Sequence, residues 1–362
     1  MTDRECLDDL EASARQILSV SAIKYISNSS DRGQTDTDNI NAFRRIRLRP
    51  RLMRDVSRRD TSTTILGHKV SFPIAIAPTA LHHWVHPGGE RLTAKAAESM
   101  DTGMVLSMWS GSSLEDIAEC SPSGLRWLHI TPLSNRAIIK QIVYRAENNG
   151  YKGIFVTLDS PIKAKSGTPL IVSKLYRRTP VSYGHFKDTD VPLRTDHNLD
   201  IELIDNTITW EVIDWLRSIT RLPIVGKGIL TAEDAREAVK HGVSGILVSN
   251  HGGRQLDGVP ATIDALPEVV EAVKGTGVEV YIDGGIRLGT DVLKALALGA
   301  RAVFVGRPIL WGLGLDGENG VKRVLKILQE EFDIAMALTG CRSVEEINAS
   351  VVRRDCTCAA KL

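Results

Sequence analysis

GILVSNHGGRQLDG (245–258) and YIDGGIRLGTDVLKALALGARAVFVG (281–306) decide how this chain folds. Each opens on a short apolar, β-branched run that breaks at a glycine-rich turn. The second continues through a helical pattern, DVLKALALGA (291–300), to another apolar run. A strand apolar on both faces is buried on both faces, and a helix between two such strands makes a parallel crossover. Working outward, the rhythm recurs. PIAIAP (73–78), GMVLSM (103–108), LRWLHI (125–130), GIFVTL (153–158) and PIVGK (223–227) precede GILVS (245–249), VEVYID (278–283) and AVFVG (302–306). Amphipathic stretches such as AEDAREAVKHG (232–242) lie between them. Eight such units predict an α/β chain closed into a (β/α)8 TIM barrel rather than an open sheet.

The flanks divide the chain further. Residues 1–60 read as a helical lead-in packing on the barrel, with Leu7, Leu10, Ala14, Ile17 and Leu18 on one helical face and a loop from Ser27 to Asp38. The barrel is expected over 61–350, and 351–362 reads as a tail. The fourth and fifth runs are abnormally far apart, the gap beginning IKAKSGTPLIVSKLYRRTPVSYGHFKDTDVPLRTD (162–196). A long insertion at the C-terminal end of a barrel strand is expected to be a lid, here about residues 162–207.

Bulk properties exclude several classes. Of 362 residues, 45 are basic and 44 acidic, a balance that favours neither nucleic acid nor an acidic membrane as partner. Cys6, Cys120, Cys341, Cys356 and Cys358 are odd in number and scattered, which predicts reduced thiols in an intracellular protein. The opening MTDRECLDDLEASARQ has no apolar core for a secretory signal. The end, Ala360-Lys361-Leu362, differs by one residue from the Ser-Lys-Leu address read by the peroxisomal import receptor, so a peroxisomal location is expected.

Chemistry in a barrel gathers at the C-terminal strand ends. His251 and Arg254 follow the sixth run and Asp159 ends the fourth. A histidine whose tautomer is held by a carboxylate is a general base, and an arginine clamps a carboxylate through two parallel bonds. Lys227 ends the fifth run. Either it forms a Schiff base or it stays charged and stabilises a developing anion. DGGIRLGTD (283–291) and VGRP (305–308), with Arg287 and Arg307, make a phosphate site of the kind barrels build after strands seven and eight. GLGLDG (312–317) fits a dinucleotide fingerprint but has no βαβ unit after it, so it is set aside. His82, His83 and His86 have metal-like spacing, yet Pro87 breaks the helix that would present them and no metal is expected.

Residue chemistry leaves flavin and Schiff-base chemistry both open. LPIVGKGILTAEDA (222–235), ILVSNHGGRQLDGVPATIDALPEV (246–269), YIDGGIRLGTDVLKALALGARAVFVGRPILWGL (281–313) and MALTGCRSVEEI (336–347) resemble the FMN-dependent α-hydroxy acid oxidase family, whose members include glycolate oxidase. IRLRPRLMRDVS (46–57) and ITRLPI (219–224) look closest to its long-chain type. The resemblance implies FMN as cofactor, a small 2-hydroxy acid and oxygen as reactants, and hydrogen peroxide as product. A homo-oligomer is compatible with it. It implies that His251 takes the substrate proton with Asp159 behind it, and that Arg254 and Tyr25 hold the carboxylate under Trp109. Lys227 then stabilises the reduced flavin. Ala77, Thr79, Ser107, His129, Thr157 and Ser249 line the ring, while Asp283, Gly285, Arg287, Gly306 and Arg307 take the ribityl phosphate. Three positions depart from the family pattern: His129 replaces a glutamine, Thr131 a tyrosine and Ser166 a lid arginine. These departures leave as alternative a flavin-binding protein with little activity.

Overall fold

A computed structural model describes residues 5–164, 183–186 and 203–354. All eight expected runs are strands: β1 (Ile74–Ile76), β2 (Gly103–Ser107), β3 (Leu125–Ile130), β4 (Ile154–Thr157), β5 (Ile224–Ile229), β6 (Gly245–Val248), β7 (Glu279–Asp283) and β8 (Ala302–Val305). They pair in parallel with their neighbours, and β8 closes on β1 through Val303 opposite Ile74. The barrel floor is a short antiparallel hairpin, Thr63–Ile65 with His68–Val70, whose Ile65 and Val70 pack into the lumen.

Side chains alternate along a strand, so one lumen tier dictates the next. Ala75, Val105, Trp127, Phe155, Val225, Leu247, Tyr281 and Phe304 form an apolar cluster, one residue from each strand. Trp127 fits because Gly103 has no side chain; a Cβ there would lie 2.2 Å from the indole. Two residues further along each strand come Ala77, Ser107, His129, Thr157, Lys227, Ser249, Asp283 and Gly306. The lower tier is a packed core and the upper tier is mostly polar. That change of character marks the functional end of the barrel.

Two corrections apply to the flanks. The segment Ser27–Asp38 is not all loop: after helix Leu7–Ile17 come helices Val20–Ser27 and Gln34–Arg44. The third begins inside the polar segment because a distant residue caps it. The Asp257 carboxylate accepts from the backbone N–H groups of Arg32, Gln34 and Thr35 at 3.2, 3.2 and 2.8 Å. The Thr35 bond leads the contacts that hold the Asp257 pKa at about 2. The expected tail is also not free at its start, since Val352–Arg354 pairs antiparallel with Ile46–Leu48; residues 355–362, with Cys356, Cys358 and the terminal tripeptide, lie outside the described residues. Finally, GLGLDG lies within the helical stretch Arg307–Thr339, broken at Asp316 and Gly317. A Cβ on Gly312 would fall 2.4 Å from the Gly320 carbonyl oxygen, so this glycine serves close packing of two helices. Among the described residues no helix is long and apolar enough to cross a membrane.

Candidate active site

A cavity of about 1190 Å³ opens above the upper tier and runs beneath the lead-in helices. Tyr25, Ala77, Thr79, Trp109, Lys227, His251, Arg254, Asp283, Gly285, Arg287, Gly306 and Arg307 all line it. Ser107, His129, Thr157, Asp159 and Ser249 do not line it: four of them belong to the tier beneath, and Asp159 follows Thr157 at the exit of β4. Ser166 and most of the expected lid lie outside the described residues.

His251 and Asp159 meet from two strand exits. His251 Nδ1 lies 3.1 Å from Asp159 Oδ1, which leaves Nε2 as the nitrogen open to a substrate. Burial works to raise the Asp159 pKa. The charges of His251 and Lys227, with hydrogen bonds from His251 and Ser160, outweigh it and hold the group at about 2. His251 sits in the left-handed region at φ 60°, an uncommon conformation for a residue with a side chain. Its N–H donates to Ser249 Oγ at 3.1 Å, and the Trp109 N–H donates to Ser107 Oγ at the same distance. The two upper-tier serines thus anchor the two residues that face the cavity. Gln255 joins the exits: its side-chain nitrogen donates to Asp159 O at 3.0 Å, Ser160 Oγ at 2.6 Å and Ile162 O at 3.2 Å. Sequence reasoning passed over Gln255, although it stands beside Arg254.

The tier beneath fits a polar heterocycle. Lys227 Nζ, His129 Nδ1 and Asp283 Oδ1 are buried without a hydrogen-bond partner among the described residues. Unpaired buried polar atoms are costly, and a flavin ring offers carbonyls and an N–H to pair with them. Burial, then the Lys227 and His251 charges, push the His129 pKa far down, so its ring is neutral; Nε2 sits 2.6 Å from Thr157 Oγ1. Burial raises the Asp283 carboxyl against the pull of Lys227.

At the other end, Gly284 and Gly285 turn at φ 88° and 80°. A Cβ on Gly285 would lie 2.1 Å from the Asn39 carbonyl oxygen, so only glycine lets this loop pass under the lead-in. Arg287 bridges Asp8 at 2.8 Å and Glu11 at 2.7 Å. Arg307 donates to the carbonyls of Ile26, Asn28 and Gly252 and pairs with Asp36 at 3.1 Å. These three carboxylates were not foreseen; nothing local marks a lead-in acid as the partner of an arginine nearly 300 residues later.

Above the tier the wall is aromatic. The Trp109 indole N–H donates to Thr131 Oγ1 at 3.0 Å. The Tyr25 hydroxyl donates to Ala80 O at 2.5 Å, and the Arg254 guanidinium lies 5.2 Å from the Tyr25 ring centre while donating to its carbonyl at 2.9 Å. His82 does not gather with its neighbours as metal ligands; its ring spans Thr79 and Thr93 at 2.5 and 3.0 Å.

A parallel barrel with a polar upper tier, a buried lysine and glycine-rich loops after strands seven and eight fits an enzyme that holds a phosphorylated heterocyclic cofactor. The FMN-dependent dehydrogenase family matches residues 14–354, and the chain belongs to that family; its cofactor is FMN. It is 48% identical to the 2-hydroxyacid oxidase 1 of Homo sapiens over 99% of this chain and 98% of the relative. With the glycolate oxidase of Spinacia oleracea it shares 44% identity over 96% and 95%. A crystal structure of a mandelate oxidase with (S)-4-hydroxymandelic acid superposes with a TM-score of 0.89 at 37% identity, over 96% of this chain and 98% of the other.

Proposed function

We propose that this chain oxidises (S)-2-hydroxy acids to 2-oxo acids, with oxygen as final acceptor and hydrogen peroxide as product, in the peroxisome. The observation that carries the chemistry is the His251–Asp159 pair beside Arg254, above a tier of unpaired polar atoms. Bound FMN supplies the two-electron acceptor. Arg254 binds the substrate carboxylate, joined by Tyr25 when its hydroxyl turns from Ala80 O, and sets the hydroxyl-bearing carbon toward His251. Asp159 keeps the imidazole proton on Nδ1, so Nε2 is the acceptor for the substrate proton, and the carboxylate then balances the imidazolium. Lys227, 3% exposed, would pair with the flavin ring and offset the negative charge that reduction places on it. Asp283, Gly285, Arg287, Gly306 and Arg307 would hold the ribityl chain and phosphate. The base pair, lysine and clamp stand together, which favours turnover over the flavin-binding alternative.

Anaerobic mixing of the purified protein with a panel of 2-hydroxy acids, followed by flavin absorbance, tests the reading. Bleaching is expected, and denaturation should release FMN. A colourless protein, or a flavin that no acid reduces, overturns it. A fluorescent reporter ending in the last residues of this chain should enter peroxisomes through the import receptor, and deletion of Leu362 should abolish entry.

A further inference from the structure

We infer that Ser160 and Gln255 are positioning residues of the proton-accepting pair: Gln255 turns the Ser160 hydroxyl onto Asp159, and together they fix how that carboxylate meets His251. This role rests on the proposed oxidation. Gln255 Nε2 faces the Asp159 and Ile162 carbonyl oxygens at 3.0 and 3.2 Å, which can only accept. Its Oε1 accepts the Ala164 N–H at 3.1 Å, so the amide has one orientation that satisfies all its neighbours. In that orientation Nε2 donates to Ser160 Oγ at 2.6 Å. The hydroxyl hydrogen must then point elsewhere. Two atoms are near it: Asp159 Oδ1 at 3.3 Å and His251 Nδ1 at 3.5 Å. Nδ1 already donates to Asp159, which leaves Oδ1 as the acceptor.

One carboxylate oxygen therefore receives both bonds. Asp159 Oδ2 is buried without a hydrogen-bond partner among the described residues. Gly228 makes room for the group from the side of β5. It stands at φ 108°, where the β5–β6 register slips between Lys227 and Ile229, and a Cβ there would lie 2.6 Å from Asp159 Cβ. Lys227 on β5, His129 on β3 and Asp283 on β7 supply the other charges that face the pair. Among the described residues only His251 and Ser160 make hydrogen bonds to the carboxylate, so the serine is what sets its angle. Without that hydroxyl the carboxylate bears on His251 alone. The imidazole then keeps its proton to higher pH, and its orientation loosens.

Anaerobic stopped-flow with the FMN-loaded protein measures flavin reduction from about pH 5 to 9. Only neutral His251 accepts the proton, so the rate falls on the acid side. Ser160→Ala should move that acid limb up by roughly 0.3–1 pH unit and lower the plateau roughly two- to tenfold, the span of one hydrogen bond. Ser160→Thr, which restores the hydroxyl, should return both toward the parent values. Gln255→Leu should move the limb the same way, and the double variant no further than Ser160→Ala, because the glutamine acts through the serine. A limb unmoved in both single variants, or displacements that add in the double variant, overturns the pair's role. NMR of isotope-labelled histidine follows the ring titration without turnover, the His251 signals being assigned by their loss in His251→Ala. A His251 titration that neither variant moves also overturns the role. A moved titration in a protein whose flavin no hydroxy acid reduces would keep the positioning pair and remove the oxidase reading.

Discussion

Replacing Asp159 by asparagine separates charge from position in the base. With its oxygen toward the ring the amide can still accept from His251 Nδ1 across the present 3.1 Å and keep the tautomer; turned over, its NH2 donates to Nδ1, moves the proton to Nε2 and deepens the loss. What disappears is the anion that balances the imidazolium formed when the substrate proton arrives. A hydrogen bond to a charged group is worth about 1.5–3 kcal/mol, so flavin reduction should slow roughly 10- to 150-fold. With its pKa held at about 2, Asp159 stays ionised from about pH 4 upward and contributes no limb to the rate profile in that range. Its stabilisation of the fold, present above the ordinary carboxylate value of 3.8, is lost only as pH falls toward 2. Anaerobic stopped-flow at saturating substrate measures the rate, and equilibrium dialysis of FMN serves as control. A variant that reduces its flavin within threefold of the parent rate refutes the electrostatic role. A variant that has shed FMN would show that the main duty of Asp159 is to balance Lys227.

Further substitutions address other parts of the site. His251→Ala should retain FMN and slow flavin reduction by roughly 10²–10⁴-fold, and an unchanged rate would place the base elsewhere. Gly285→Ala places a Cβ against Asn39 O in a left-handed turn; it should cost at least about 2 kcal/mol, seen as a lower melting temperature and weaker FMN retention. Thr131→Tyr removes the acceptor of the Trp109 indole, and should raise activity on glycolate relative to a medium-chain 2-hydroxy acid by roughly tenfold in steady-state kinetics. His185 is neutral in the fold, burial holding its pKa at about 4 against 6.5 unfolded. Its contribution of about 3 kcal/mol is therefore complete above pH 6.5 and lost as pH falls toward 4. His185→Asn should flatten that acid loss in melting curves taken from pH 7.5 to 4.5.

The barrel was legible in the sequence because its strands are buried on both faces, and such runs need no partner to be recognised. That His251, Lys227, Arg254 and the paired loops would line one cavity was legible for a related reason: they follow strand ends, so position along the chain already implies position in the mouth. The two-residue step from Val225 to Lys227, or from Tyr281 to Asp283, carries the change from core to site in the sequence itself. Contacts across long separations could not be read this way. The helix Gln34–Arg44 begins where it does because Asp257, on the loop that also carries His251, caps it. Asp8, Glu11 and Asp36 meet Arg287 and Arg307 only after the lead-in folds over the barrel. Likewise Thr131, which by residue type alone suggests a vacancy, becomes the acceptor for Trp109, and His185 becomes a buried pin bonded to Leu114 and Ser107. Local periodicity determines which segments are strands and which residues end them. Which side chains meet across the cavity is decided by packing, because hydrogen bonds and charge pairs depend on distance in space and leave no periodic trace along the chain.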